Sequence, residues 1–203
     1  MTTRLDLRTT LRRRLEDTGI TPLWDDAALN DALADAVRHY GTRFPKEATT
    51  TVMVPAGSTS IPVTPPIPTE RVLRLFDDEG AYVPRQTAFA PETGVFAQSW
   101  RWWNSSLNLT QAPATTGNWT VEHLTGRSLP ADDVTAVDLI PGDEEMVTLL
   151  ATVTALRRRT VEDAKRGSDR SAASVAAIAD RAERAASWLI AARRRRAHGG
   201  WLA

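Results

Sequence analysis

Leu7, Leu11 and Leu15 recur at a spacing of four, which puts them on one stripe of a helix over about residues 3–17. Gly19 is expected to end it. Asp25 is placed to cap a second helix, where its carboxylate can accept from a free N–H of the first turn. Leu29, Leu33, Ala36, Val37 and Tyr40 then recur at helical spacing, and Gly41 and Pro45 are expected to close the helix. After Pro45 the pattern becomes extended. Thr49–Val54, the turn signal Pro55-Ala56-Gly57-Ser58 and Ser60–Thr64 read together as a β-hairpin. Pro62, Pro65, Pro66 and Pro68 keep the next stretch out of helix and out of central strands. Arg71–Phe76 reads as a strand, Asp77–Gly80 as a turn, and Ala81–Pro84 as the return. Trp100–Trp103 and Leu107–Thr110 read as a hairpin, and Trp119–Leu124 alternates like a half-buried strand.

The helical period returns after Pro141. Asp143, Glu144 and Glu145 occupy a first turn, where the helix dipole favours negative charge. Met146, Leu149, Leu150, Val153 and Leu156 follow in helical order, towards about Lys165. Gly167-Ser168 breaks the run. Asp169 or Ser171 can cap a last helix through about Ala197, with Val175, Ile178, Ala182, Ala185 and Leu189 expected inward. The fold class is therefore α+β: N- and C-terminal helices form a helical bundle around a β-rich central insertion, a small sheet or barrel. Residues 1–46 and 128–198 are assigned to the bundle, 47–127 to the insertion, and 199–203 to a flexible tail.

Charge changes this picture by its distribution. The totals balance, at 25 basic and 25 acidic side chains. Residues 47–153 hold five basic and thirteen acidic residues, net −8, whereas residues 154–203 hold twelve basic and five acidic, net +7. Such a chain can fold back on itself, stack head-to-tail with copies, or offer each sign to a different partner. There is no cysteine, hence no disulfide framework and no thiolate metal site. No stretch approaches the ~20 apolar residues that span a bilayer, and no secretory apolar segment follows the N-terminal arginines. A soluble protein made in the cytoplasm, with no membrane partner, is expected.

Candidate chemistry is sparse. His39, His123 and His198 lie in three different segments without metal-ligand spacing. His39 is expected at the surface or in a cap. No nucleophile elbow, phosphate loop or dinucleotide fingerprint is present. The pairs Asp25-Asp26, Asp77-Asp78 and Asp132-Asp133 read as a cap, a turn and a loop. Neither an enzyme nor a cofactor is expected. The second helix carries Asp25, Asp26, Asp31 and Asp35 against Arg38, so it would repel DNA as a recognition helix.

Two clusters remain. Trp100, Trp102 and Trp103 could form a sugar-binding or base-stacking platform. The reading preferred here makes one strand face core and the other a subunit interface, where tryptophan is enriched. Arg193, Arg194, Arg195 and Arg196, followed by Gly199-Gly200, Trp201 and Leu202, could dock on an acidic partner with the two apolar residues as anchors. DNA phosphate and a plain disordered end are the competing readings.

The segment LWDDAALNDALADAVRHYGTRFP, with Trp24, Asp25, Leu29, Ala32, Ala36, Tyr40 and Pro45, resembles the opening of tailed-phage head–tail adaptor (connector) proteins. LIPGDEEMVTLLATVTALRRR resembles their proline-acidic start and alanine-rich helix. VMVPAGSTSIPV and RVLRLFDDEGAYVP look like a β insertion found in some of them. The resemblance implies a structural virion protein at the head–tail junction: a ring, a dodecamer, bound beneath the portal protein. It would extend the DNA channel without binding DNA specifically and provide a platform for the next tail or stopper protein. By the same analogy Arg193–Ala203 would grip the portal, and the acidic middle could line the channel or meet a tail protein. A stopper or tail-completion component is the alternative assembly role.

Overall fold

The computed structural model describes residues 1–68, 71–86 and 98–199, with side chains in the last helix as far as Arg194. The chain is α+β. Among the described residues, helices α1 (Arg4–Arg14) and α2 (Asp26–Arg43) precede seven strands, and α3 (Glu144–Lys165) and α4 (Asp169–Gly199) follow them. The strands are β1 (Lys46–Val54), β2 (Ser60–Pro62), β3 (Val72–Phe76), β4 (Tyr82–Val83), β5 (Trp100–Trp103), β6 (Ser106–Leu109) and β7 (Gly117–Thr125). Two compact units result, Met1–Phe44 with Gly126–Ala203, and Pro45–Thr125.

In the helical unit, α1 starts on a reciprocal cap. Asp6 N donates to Thr3 Oγ1 (3.2 Å) and Thr3 N donates to Asp6 Oδ2 (2.9 Å), which satisfies two otherwise free donors. Leu15 and Glu16 terminate it, Glu16 at φ 55°, so the expected stop at Gly19 comes late. Asp25 caps α2 as expected, accepting from Ala28 N at 2.7 Å. Gly41 does not end α2. It lies inside the last turns, where an added Cβ would sit 2.8 Å from the backbone nitrogen of Arg127. Glycine is required there because another segment crosses the helix at that point.

Leu7, Leu11, Leu29, Leu33, Val37 and Tyr40 meet Met146, Val147 and Ala151 in one core. A buried Leu or Val contributes on the order of 1.5–3 kcal/mol, so this cluster holds α1, α2 and α3 together. α4 returns antiparallel to α3 after Gly167 (φ 74°). Its buried seam is Ala172, Ala179 and Ala186, small residues seven apart that let two helices approach closely. Val175, Ala182 and Leu189 flank that seam, half-buried. Ile178 and Ala185, expected inward, are exposed, because the line of α4 that is buried is Ala172, Ala179 and Ala186.

The strand unit contains two antiparallel sheets, ordered β1-β7-β3-β4 and β2-β6-β5. One apolar cluster joins them. Val52, Val54, Leu75, Trp119 and Val121 come from the first sheet, Ile61, Trp100, Trp102, Leu107 and Leu109 from the second. β1 and β2 do not form the expected hairpin. β1 pairs with β7 along its length, and β2 pairs with β6. The turn between them carries the chain from one sheet to the other. It is tied to a distant loop by Gly57 N donating to Pro113 O (3.0 Å) and Ala56 N to Thr116 Oγ1 (3.0 Å). Pro62 is tolerated because β2 is an edge strand. The β5–β6 hairpin forms as expected, turning through Asn104 and Ser105 at φ 49° and 57°. Lys46 faces Thr125, so the first and last strands of the insertion start and finish side by side.

Candidate partner interface

Polar contacts within the helical unit fix its surface. Arg8 donates to Asp133 through both carboxylate oxygens (3.2 and 2.7 Å) and to Asn30 Oδ1 (3.1 Å). Arg4 Nε donates to the same carboxylate at 2.6 Å. These guanidiniums hold the Asp133 carboxyl below the usual carboxylate range. Asp17, buried, accepts from Arg12 (2.7 Å), Leu23 N (2.5 Å) and Trp24 N (3.3 Å), which shapes the connection into α2. Asp163, also buried, accepts from Arg159 Nε (2.9 Å) and Ser171 Oγ (3.0 Å) and so closes the α3–α4 turn. Of the paired carboxylates singled out in the sequence, Asp25 caps α2, Asp77 closes its turn by accepting from Glu79 N and Ala81 N, and Asp132 accepts from Val134 N and Thr135 N in its loop.

Asp143 lies where three helices meet. Tyr40 Oη from α2 donates to it at 2.7 Å, and Arg193 Nε from α4 lies 3.6 Å away. Burial, and the donation to this carboxylate, raise the Tyr40 phenol well above its ordinary value. Arg127 covers the same ring, its guanidinium carbon 5.7 Å from the centroid, and donates to the carbonyls of Phe44 and Asp138 at 2.8 Å each. Arg127 thereby clamps the segment that leaves α2 to the one that enters the bundle again. Neither Tyr40–Asp143 nor the Arg127 clamp could be read from spacing, since their partners are far apart in the chain.

The basic run at the end of α4 is helical backbone. Arg193 turns inward to Asp143 and Arg194 is exposed. The side chains of Arg195 and Arg196, and residues Trp201 and Leu202, lie outside the described part.

The three clustered tryptophans separate. Trp100 and Trp102 are 0% and 2% exposed, with their indole N–H groups donating to Val83 O (2.8 Å) and Ile67 O (2.9 Å). Both belong to the core of their own unit, which removes them from a subunit interface and from any stacking platform. Strand alternation sends Trp103 the other way, 69% exposed beside the hairpin turn. It alone of the three can touch a neighbour.

The helical unit exposes further apolar side chains: Trp188 at 64%, Ile178 at 50%, and Val161. Val161 lies on α3, and Ile178 and Trp188 lie on α4. Pattern reasoning missed Trp188, although its position, nine residues from the Ala179 seam, turns it to the opposite side of α4.

His39 is exposed, and His123 lies 2.9 Å from Thr50 Oγ1 across β1 and β7. Among the described residues no cluster of His, Asp and Glu is arranged to hold a metal ion, and no helix is long and apolar enough to cross a membrane. No protein-family model and no curated protein sequence matches this chain.

Proposed function

We propose that this protein is a head–tail adaptor subunit of a tailed phage, a structural ring component that docks beneath the portal and performs no reaction. The ring would extend the DNA channel and offer its other side to a tail or stopper protein. One observation supports this reading above the others. The two segments that resemble adaptor proteins, ending at Pro45 and starting at Leu139, lie on either side of the insertion, yet they form one antiparallel helix pair. Tyr40 of the first closes on Asp143 of the second at 2.7 Å. A bundle rebuilt across an insertion is what the resemblance implies. The exposed Trp188, Ile178 and Trp103 supply apolar surface for neighbours.

The test mixes the purified protein with portal rings from the same phage and examines the product by sedimentation and electron microscopy. The expected result is a ring of this protein on one face of the portal. Removing residues 195–203, which leaves the Arg193–Asp143 contact in place, should abolish docking while the thermal transition stays unchanged. Absence of the protein from the head–tail junction of purified particles would overturn the assignment.

A further inference from the structure

Helices α2 and α4 both run antiparallel to α3. Tyr40 and Arg193 meet Asp143 at one end, and farther along α3, Asp35 meets Arg158 at 2.9 Å and Glu183 meets Arg157 at 2.5 Å. α2 and α4 thus lie side by side in the same direction with α3 beneath them, and a groove remains between them. Its wider part has a volume of about 520 Å³ and a narrower part of about 200 Å³ adjoins it, the two sharing His39, Leu150 and Glu183.

We propose that this groove docks an amphipathic, acidic helix of a partner protein. Apolar side chains of that helix would lie on Leu150 and Ile190, and its carboxylates would pair with Arg43 and Arg194. Leu150 and Ile190 are only half-buried although they pack against the core of the bundle, so a further apolar layer can be added over them.

Charge selects the occupant. His39, Arg43 and Arg194 line the wide part and all three are exposed. Arg43 and Arg194 form no ion pair among the described residues. Glu183, the acid lining the same part, is already paired with Arg157. The dipole of α2 offsets about half an elementary charge at its C-terminal end, which leaves the rim positive. A basic or neutral helix would leave both guanidiniums on this rim without a counter-charge, whereas an acidic one pairs both. This inference does not depend on the adaptor reading, since it concerns what the groove recognises and not the particle that contains it.

The experiment uses the full chain with methyl-labelled leucine and isoleucine. Two synthetic helical peptides are titrated in, one with leucines on one face and glutamates on the other, and a counterpart with lysines in place of the glutamates. The acidic peptide should shift the methyl resonances of Leu150 and Ile190 and leave that of Ile61, in the other unit, unmoved. The lysine peptide should shift none of them. Reversing the rim charges with R43E and R194E should weaken the acidic peptide at least tenfold and allow the lysine peptide to bind. Both positions are exposed, and an unchanged thermal transition will confirm that the variant is folded. The proposal is overturned if the acidic peptide leaves Leu150 and Ile190 unmoved, or if charge reversal leaves its affinity intact. It is equally overturned if light scattering shows a stable dimer that protects these methyl groups, because the occupant would then be a second copy.

Discussion

Tyr40 donates its phenolic hydrogen to the carboxylate of Asp143 at 2.7 Å, and the whole inserted unit lies between these two residues in the chain. The bond fixes the end of α2 to the start of α3. It also gives a buried carboxylate its closest partner, with Arg193 at 3.6 Å as the second. Three of the four helices among the described residues are joined at this one carboxylate.

Replacing Tyr40 with Phe should therefore destabilise the helical unit by about 1–3 kcal/mol, the usual cost of leaving a buried polar group without its donor. Chemical denaturation of the two proteins at neutral pH measures it. The difference should also depend on pH. Burial, then the bond to Asp143, raise the phenol in the folded state, so the unfolded chain deprotonates first. The contribution of Tyr40 is fully present below pH ~10, the ordinary tyrosine value, and is lost as pH rises towards the folded-state value. A wild-type advantage that stays constant above pH 10 would contradict this linkage.

Asp133 predicts the opposite limb. Hydrogen bonds from Arg8 and then Arg4 lower its carboxyl in the folded state. Its contribution is present above the unfolded carboxylate value, about pH 4, and is lost as pH falls through the folded-state value. In Asp133→Asn the acid-side decline in stability should be shallower than in wild type. Urea midpoints measured from pH 6 down to pH 2 decide it, and parallel curves would show that the Arg8–Asp133 pair contributes nothing to the linkage.

Gly41 has no room for a side chain. Gly41→Ala places a Cβ 2.8 Å from the Arg127 backbone nitrogen, so either α2 or the crossing segment must move. The expected loss is about 1–3 kcal/mol, typical of overpacking, although alanine is the better helix former by up to ~1 kcal/mol. Thermal unfolding of the variant tests this, and a raised midpoint would show that the crossing yields at little cost.

The tryptophans of β5 should respond in opposite ways. Trp100→Ala empties a core position and breaks the bond to Val83 O, for a loss of about 3–5 kcal/mol. Trp103→Ala, at an exposed position, should change stability by less than about 0.5 kcal/mol. If Trp103 meets a neighbouring subunit, its removal should instead reduce ring assembly on the portal, read by sedimentation.

Much of this fold was legible in the chain because helical periodicity and cap chemistry act over a few residues. Asp25, Gly167 and the Asp143-Glu144-Glu145 turn mark helix boundaries through local hydrogen bonds and dipoles, and the elements begin and end close to them. Strand alternation likewise put Trp100 and Trp102 on one face and Trp103 on the other. The errors share a cause. Val54 and Ile61 flank a good turn and satisfy a hairpin pattern, but each has a better partner far along the chain. Ile178 and Ala185 fit a helical stripe as well as Ala179 and Ala186 do, and periodicity alone cannot choose between two stripes.

The amino-acid sequence by itself determined where helix and strand begin, since φ/ψ preference, capping and side-chain period are properties of neighbours. It also determined the uneven spread of charge. Tertiary structure alone decided which strands pair, which line of α4 faces α3, and which carboxylate accepts from Tyr40. Those choices are made by competition for apolar burial and for hydrogen-bond partners between segments that meet only in the folded chain.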